Sequence, residues 1–166
     1  MLSDNVGNML GKLANVFVSV QQALEQMSKS GKVSLRTQAL ASLLHVPPSS
    51  LHERMYARAL QDKSKKIRML AAQNSQIQAM AVLLPALAQA IAQEQDASTR
   101  ESLQRSHGLL QDGYWKEIDD AGNSWITCCF EGGTTSRFYN KEKFETEGKA
   151  WIAESAAEWK KHWYPT

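Results

Sequence analysis

Histidines, cysteines and paired acids are the side chains best able to do chemistry, and in this chain they stand apart. The histidines, His45, His52, His107 and His162, are scattered, and none is spaced from a cysteine as a metal site requires. Cys128 and Cys129 are adjacent. Neighbours on a strand point to opposite faces, so no bond between them is expected, and neither has a histidine close in sequence. The glycine-containing stretch EGGTTS lacks the lysine and the strand–loop–helix setting of a phosphate loop. Asp119 and Asp120 sit beside a turn signal and read as solvent-facing turn acids. The expectation is a protein that is not an enzyme, with no catalytic residues, no metal and no cofactor.

The basic residues are more informative. Between residues 29 and 68 lie Lys29, Lys32, Arg36, Arg54, Arg58, Lys63, Lys65, Lys66 and Arg68, against only Glu53 and Asp62. That segment carries +7 in a chain whose formal total is +2, so the remainder carries −5. A chain with this little net charge attracts a polyanion only through uneven distribution, and here the distribution is uneven.

The same segment contains LASLLHVPPSSLHERM, residues 40–55. Leu40, Ala41, Leu44, Val46 and Leu51 fall where two helices meeting at a tight turn pack together. Pro47 or Pro48 suits a helix start, and Ser49 or Ser50 suits the cap. On these residues the stretch over 34–56 resembles the helix-turn-helix of bacterial and phage regulators. The resemblance departs at the turn, where His45 replaces the usual glycine, and at Arg54, where an apolar residue is usual. It implies double-stranded DNA as partner. Pro47, Pro48, Ser49, His52, Glu53 and Tyr56 would face the groove, and Ser50 belongs to the same DNA-binding set. Ser49 and His52 would meet base edges. Arg36, Thr37, Arg54 and Arg58 would clamp the backbone, and Lys63, Lys65, Lys66 and Arg68 would add to the DNA-binding set.

The elements that must position these residues follow from periodicity. Apolar residues from Val6 to Met27 recur every three or four positions, predicting a helix over 4–28 that Gly31 ends. The helix-turn-helix-like part occupies 34–60. A long helix is predicted over 62–95, with Pro85 kinking or restarting it. A heptad fits that helix, with Ile67, Asn74, Ala81 and Ala88 at one seam position and Leu70, Ile77, Leu84 and Ile91 at the other. A homodimer through it is one reading, and the buried centre of a bundle is the other. A further helix covers 97–111, capped by Asp96 or Ser98, and Gly113 closes it.

From Tyr114 the composition shifts, and the tryptophans of the chain lie from here on. Short runs alternate with AGN and GG turn signals, predicting a three-stranded antiparallel meander. A helix over 141–163 covers it through Phe144, Trp151, Ile152, Ala156 and Trp159. This plan over 114–163 loosely resembles AP2-like domains, in which a sheet reads DNA; the resemblance would select Lys116, Trp125 and Arg137. Yet Glu117, Asp119, Asp120 and Glu131 make the sheet acidic, which repels phosphates. A protein contact through Trp115, Trp125, Arg137 and Tyr139 is expected instead, with the aromatic residues as core the competing reading.

The class expected is therefore α+β, a helical region over 1–112 followed by a sheet-plus-helix region over 113–166. No stretch is apolar and long enough to cross a membrane, and no signal peptide is legible, so a reducing, cytoplasmic setting is expected. The leading functional expectation is a small DNA-binding regulator or accessory factor with a C-terminal protein-contact module. The alternative is an interaction or inhibitor protein, of the kind a phage or mobile element encodes, that blocks a protein partner.

Overall fold

A computed structural model describes residues 2–14, 17–44, 47–130 and 133–163. The fold is α+β, with helices first, then a three-stranded antiparallel sheet, then a C-terminal helix. The chain divides into two compact units, Met1–Gln104 and Arg105–Thr166. The division falls eight residues earlier than the expected boundary after residue 112, inside a helix. The last two turns of that helix belong with the sheet because their side chains and carbonyls bond to it, as set out below.

In the first unit the predicted helix over 4–28 is two helices, α1 (Leu2–Ala14) and α2 (Val18–Ser28). Phe17 stands extended before α2, and the NVFV around it is poor in strong helix formers. Helix α3 (Val33–Leu43) runs through the middle of the unit. Both α1 and α2 pack on it, and so does α5 (Lys65–Ile77). Helix α4 (Ser50–Ala59) packs on α5 and buries Leu51, Met55, Tyr56 and Ala59. The turn residues His45 and Val46 lie outside the described residues.

The predicted long helix over 62–95 is broken. Helix α5 ends at Ile77, a single 3-10 turn spans Ala81–Leu83, and α6 runs Leu84–Gln93 with Pro85 in its first turn. Between them Ala79 holds a left-handed backbone at φ 51°. That conformation ends an α-helix whatever follows. The heptad seam is thereby interrupted, and Ile77 is exposed. Asn74 is used within the chain. It is buried and its amide donates to the Leu40 carbonyl at 3.2 Å. A homodimer built on one continuous helix over 62–95 loses its element. Helix α7 (Ala97–Asp112) starts at Asp96, whose carboxylate accepts the Thr99 amide at 2.9 Å and the Thr99 hydroxyl at 2.8 Å. Among the described residues no helix is long and apolar enough to cross a membrane.

In the second unit β1 (Tyr114–Ile118), β2 (Ser124–Phe130) and β3 (Gly133–Tyr139) form a meander in that order. Gly122, at φ 83°, supplies the positive φ of the first turn, and the Asp119 carboxylate closes it by accepting the Ala121 and Asn123 amides. Helix α8 (Lys141–Lys143), a π segment (Phe144–Gly148) and α9 (Lys149–Trp163) follow as one helical run. Ile126, Cys128, Tyr139 and Trp151 form the core between sheet and α9. The end of α7 lies on the opposite face. There Arg105 reaches Glu117 and Thr127, and the Cys129 thiol donates to the Leu109 carbonyl at 3.8 Å. Trp159 joins both layers, its indole N–H donating to the Leu110 carbonyl at 3.2 Å. Gly113, at φ 78°, lies flat against that indole, where a Cβ would come within 2.5 Å of the ring.

Candidate binding surfaces

The joint between α3 and α4 shows how the helical unit uses its polar residues. Helices leave carbonyls unpaired at their C-terminal ends. At the end of α3 the Leu43 carbonyl is met by His52 Nε2 at 3.1 Å and by the Gln78 amide at 2.9 Å. The other ring nitrogen, His52 Nδ1, accepts the Ser49 amide at 3.1 Å and stands 2.9 Å from the Ser49 hydroxyl. A backbone N–H can only donate, so Nδ1 is the acceptor and Nε2 carries the proton. His52 is 1 % exposed. One histidine therefore caps the start of α4 and the end of α3 together. Burial removes it, and Tyr56 beside it, from the outward set that a groove-reading helix needs. The Tyr56 hydroxyl donates to Gln78 at 2.9 Å, and burial holds it protonated above its ordinary range, the Asn74 bond acting the other way.

The basic residues divide in the same manner. Arg36 is 5 % exposed; it bonds the Ser30 carbonyl at 2.6 Å and pairs with Asp62 at 2.7 Å. Placed there, it clamps two segments of its own chain rather than a phosphate. Arg68 pairs with Glu94 at 2.5 Å and also holds the Asp62 carbonyl. Arg54 pairs with Glu25 at 3.0 Å, and Lys65 with Asp96 at 3.3 Å. Burial would raise the Glu94 carboxyl, but the amides of Asp96 and Gln95 and the Arg68 guanidinium hold it below its usual value. Three acids from outside residues 29–68, Glu25, Glu94 and Asp96, thus bring the local +7 to +4. Lys29, Lys32, Arg58, Lys63 and Lys66 are exposed and carry no ion pair among the described residues. The outward side of α4 is open at Ser49, Ser50, Glu53, Arg54 and Arg58. Thr37 is half-buried on α3, its hydroxyl donating to the Val33 carbonyl at 3.0 Å.

In the second unit the register sorts the expected partner residues onto two faces. Lys116, Ile126 and Arg137 are cross-strand neighbours, as are Glu117, Trp125 and Phe138. Successive residues alternate faces, so Arg137 and Tyr139 share the side of Ile126 that α9 covers. Tyr139 is buried there, and the Arg137 guanidinium lies 4.4 Å from the Trp151 ring centroid. Lys116 is placed likewise over Phe144 at 4.7 Å. Trp115 and Trp125 are on the other face. Trp115 is half-buried beside Gly108 and donates its indole N–H to Glu117 at 3.0 Å. Trp125 is 51 % exposed and Phe138 49 %, with ring centroids 5.1 Å apart and planes tilted by 55°. The sequence signalled Trp125 but not its pairing with Phe138; that depends on the register between β2 and β3.

Burial raises the Cys128 thiol above its ordinary range, against the weaker pull of Ser155 and Arg137. A thiol so placed is a poor nucleophile. Asp119 is held below its usual value, first by the Asn123 side chain and then by turn amides, so its oxygens are already engaged. Among the described residues no three histidines, cysteines or acids gather as a metal site would need. Glu131 lies outside the described residues.

The chain matches no protein-family model, no curated protein and no solved structure.

Proposed function

We propose that this chain is a non-enzymatic binding protein whose C-terminal unit docks on a protein partner through the Trp125–Phe138 face of its sheet. The observation that carries the reading is that two large aromatic residues, paired across neighbouring strands with their rings tilted against each other, are each about half exposed. Cross-strand aromatic pairs of this kind stabilise a sheet without needing exposure, and water-exposed tryptophan is uncommon unless it anchors a contact. The Arg105–Glu117 ion pair at 3.3 Å borders the rings and supplies a polar rim. Such a protein acts by occupying its partner's surface, as an inhibitor or an adaptor.

The test is a comparison of the full chain with Trp125→Ala/Phe138→Ala as bait, after nuclease treatment. The reading expects partners retained by the wild type and lost by the variant, whose melting curve stays close to wild type. Retention of the same proteins by both baits contradicts it.

A second reading keeps the helical unit on duplex DNA, as a regulator or accessory factor. It is favoured by the open outer side of α4 and by the unpaired Arg58, Lys63 and Lys66 nearby in sequence. Four of the nine segment cations are held in ion pairs, so this contact would be weak, with a salt dependence shallower than nine free cations would give. A gel shift with generic duplex at low salt, abolished by Arg58→Glu/Lys63→Glu/Lys66→Glu, supports it. No shift at low salt removes it.

A further inference from the structure

Strand β3 forms an edge of the sheet, and its outer side is bare. The Cys129 amide donates to the Gly113 carbonyl at 2.8 Å, so the main chain of Cys129 faces β1. Main-chain groups alternate sides along a strand, so Cys128 and Ile126 face β3, where the register sets them on Thr135 and Arg137. The amides and carbonyls of Thr134, Ser136 and Phe138 therefore point outward, and they have no hydrogen-bond partner among the described residues. Residues 134–138 are all exposed. The two edges of the sheet differ. Strand β1 has five residues and carries exposed Lys116 at its middle, a usual guard against pairing with another chain. Strand β3 has seven residues, with no lysine and no proline. Its one charge, Arg137, lies over the Trp151 ring at 4.4 Å.

We propose that β3 pairs antiparallel with the β3 of a second copy of this chain, joining the two sheets into one about a two-fold axis at Ser136. In that register Ser136 stands opposite Ser136 of the second copy, Thr135 opposite Arg137, and Thr134 opposite Phe138. All seven residues of the strand take part, and the outward groups form about six main-chain hydrogen bonds. Neighbouring registers are poorer. An axis at Arg137 sets two arginines directly opposite, which like charge disfavours. An axis at Thr135 leaves Phe138 and Tyr139 beyond the paired strand. A second copy is the occupant because the strand is its own complement. Thr134 of one copy is a β-branched neighbour for the half-exposed Phe138 ring of the other, on the same face of the sheet. The axis stands perpendicular to the joined sheet, so both Trp125–Phe138 pairs lie on one face of the dimer. The pairing requires no docking of a different protein there, and the two contacts can fail separately.

The test is the mass of the full chain in solution at about 100 µM, by sedimentation equilibrium, beside Ser136→Pro. The N–H that proline lacks is one that points outward, so pairing with β2 is kept while pairing with a second copy is lost. The wild type should have twice the chain mass of 18.5 kDa, and Ser136→Pro the single mass with a wild-type circular dichroism spectrum. Ser136→Lys and Ser136→Glu test the register, because only an axis at Ser136 sets this position against itself. Each variant alone should associate at least about fivefold more weakly than an equimolar mixture of the two. That comparison decides the outcome if Ser136→Pro does not fold. A monomeric wild type overturns the proposal and leaves the edge open to an extended segment of another protein. A dimer that survives Ser136→Pro overturns it as well, as does equal association of the lysine variant, the glutamate variant and their mixture.

Discussion

Arg36 in the helical unit is 5 % exposed, while Trp125 in the sheet unit is 51 % exposed. Each departs from the ordinary place of its residue type, in opposite directions. In the helical unit polar side chains are drawn inward to satisfy helix ends and bends: His52 and Gln78 on the Leu43 carbonyl, Asn74 on Leu40, Arg36 on Ser30 and Asp62. In the sheet unit the polar demand is met by the strand ladder. Aromatic residues fill one core and spill onto the opposite face. A charge therefore reports on function only after its structural partners are counted. An exposed ring reports on it more directly, because burial was the alternative.

The largest effect that separates the two units is expected at Trp159. Its indole fills the space beside Gly113 and caps the Leu110 carbonyl, so Trp159→Ala should cost about 3–5 kcal/mol, read by urea unfolding. Gly113→Ala combines a left-handed φ with a close contact and should approach that loss. Either variant at wild-type stability would mean that α7 and α9 are not joined there. In the helical unit His52→Ala should cost about 2–4 kcal/mol, because two helix ends lose their partner and a buried space opens. Arg58→Ala, on the exposed side of the same helix, should stay within about 0.5 kcal/mol. Equal effects would erase the distinction between the buried and outward sides of α4.

Smaller, and specific to charge, is the acid response of Asp96. The amide and hydroxyl of Thr99, then Lys65, lower its carboxyl from the usual 3.8 to about 2. The folded state thus favours the ionised form. That contribution is fully present above pH 4 and is lost as pH falls towards 2. Asp96→Asn should flatten the decline in stability across that window, measured by thermal melts at stepped pH. The smallest effect is expected on the sheet: Trp125→Ala/Phe138→Ala should change stability by no more than about 1 kcal/mol, since both rings are half in water already.

Much of the fold was legible in the sequence. The meander follows from AGN, GG and alternating short runs, while residue type narrows the cap of α7 to Asp96 or Ser98, and it is Asp96 in the structure. Two kinds of feature were not. The break at Ala79 falls within an unbroken apolar pattern, where no glycine or proline marks the left-handed residue. The uses of Arg36, His52 and Arg68 depend on Asp62, Leu43 and Glu94, at separations of 26, 9 and 26 residues. Periodicity places such residues on a helix without showing what faces them. For that reason a +7 segment in sequence becomes, in space, a set of bonds between helices with a smaller free remainder.

The contrast between the units is tested most directly by placing a photo-crosslinking phenylalanine analogue at position 125 in one sample and at position 53, on the outward side of α4, in another. The account predicts nuclease-resistant protein adducts from position 125 and none from position 53. Nuclease-sensitive adducts at 53 with none at 125 would contradict it.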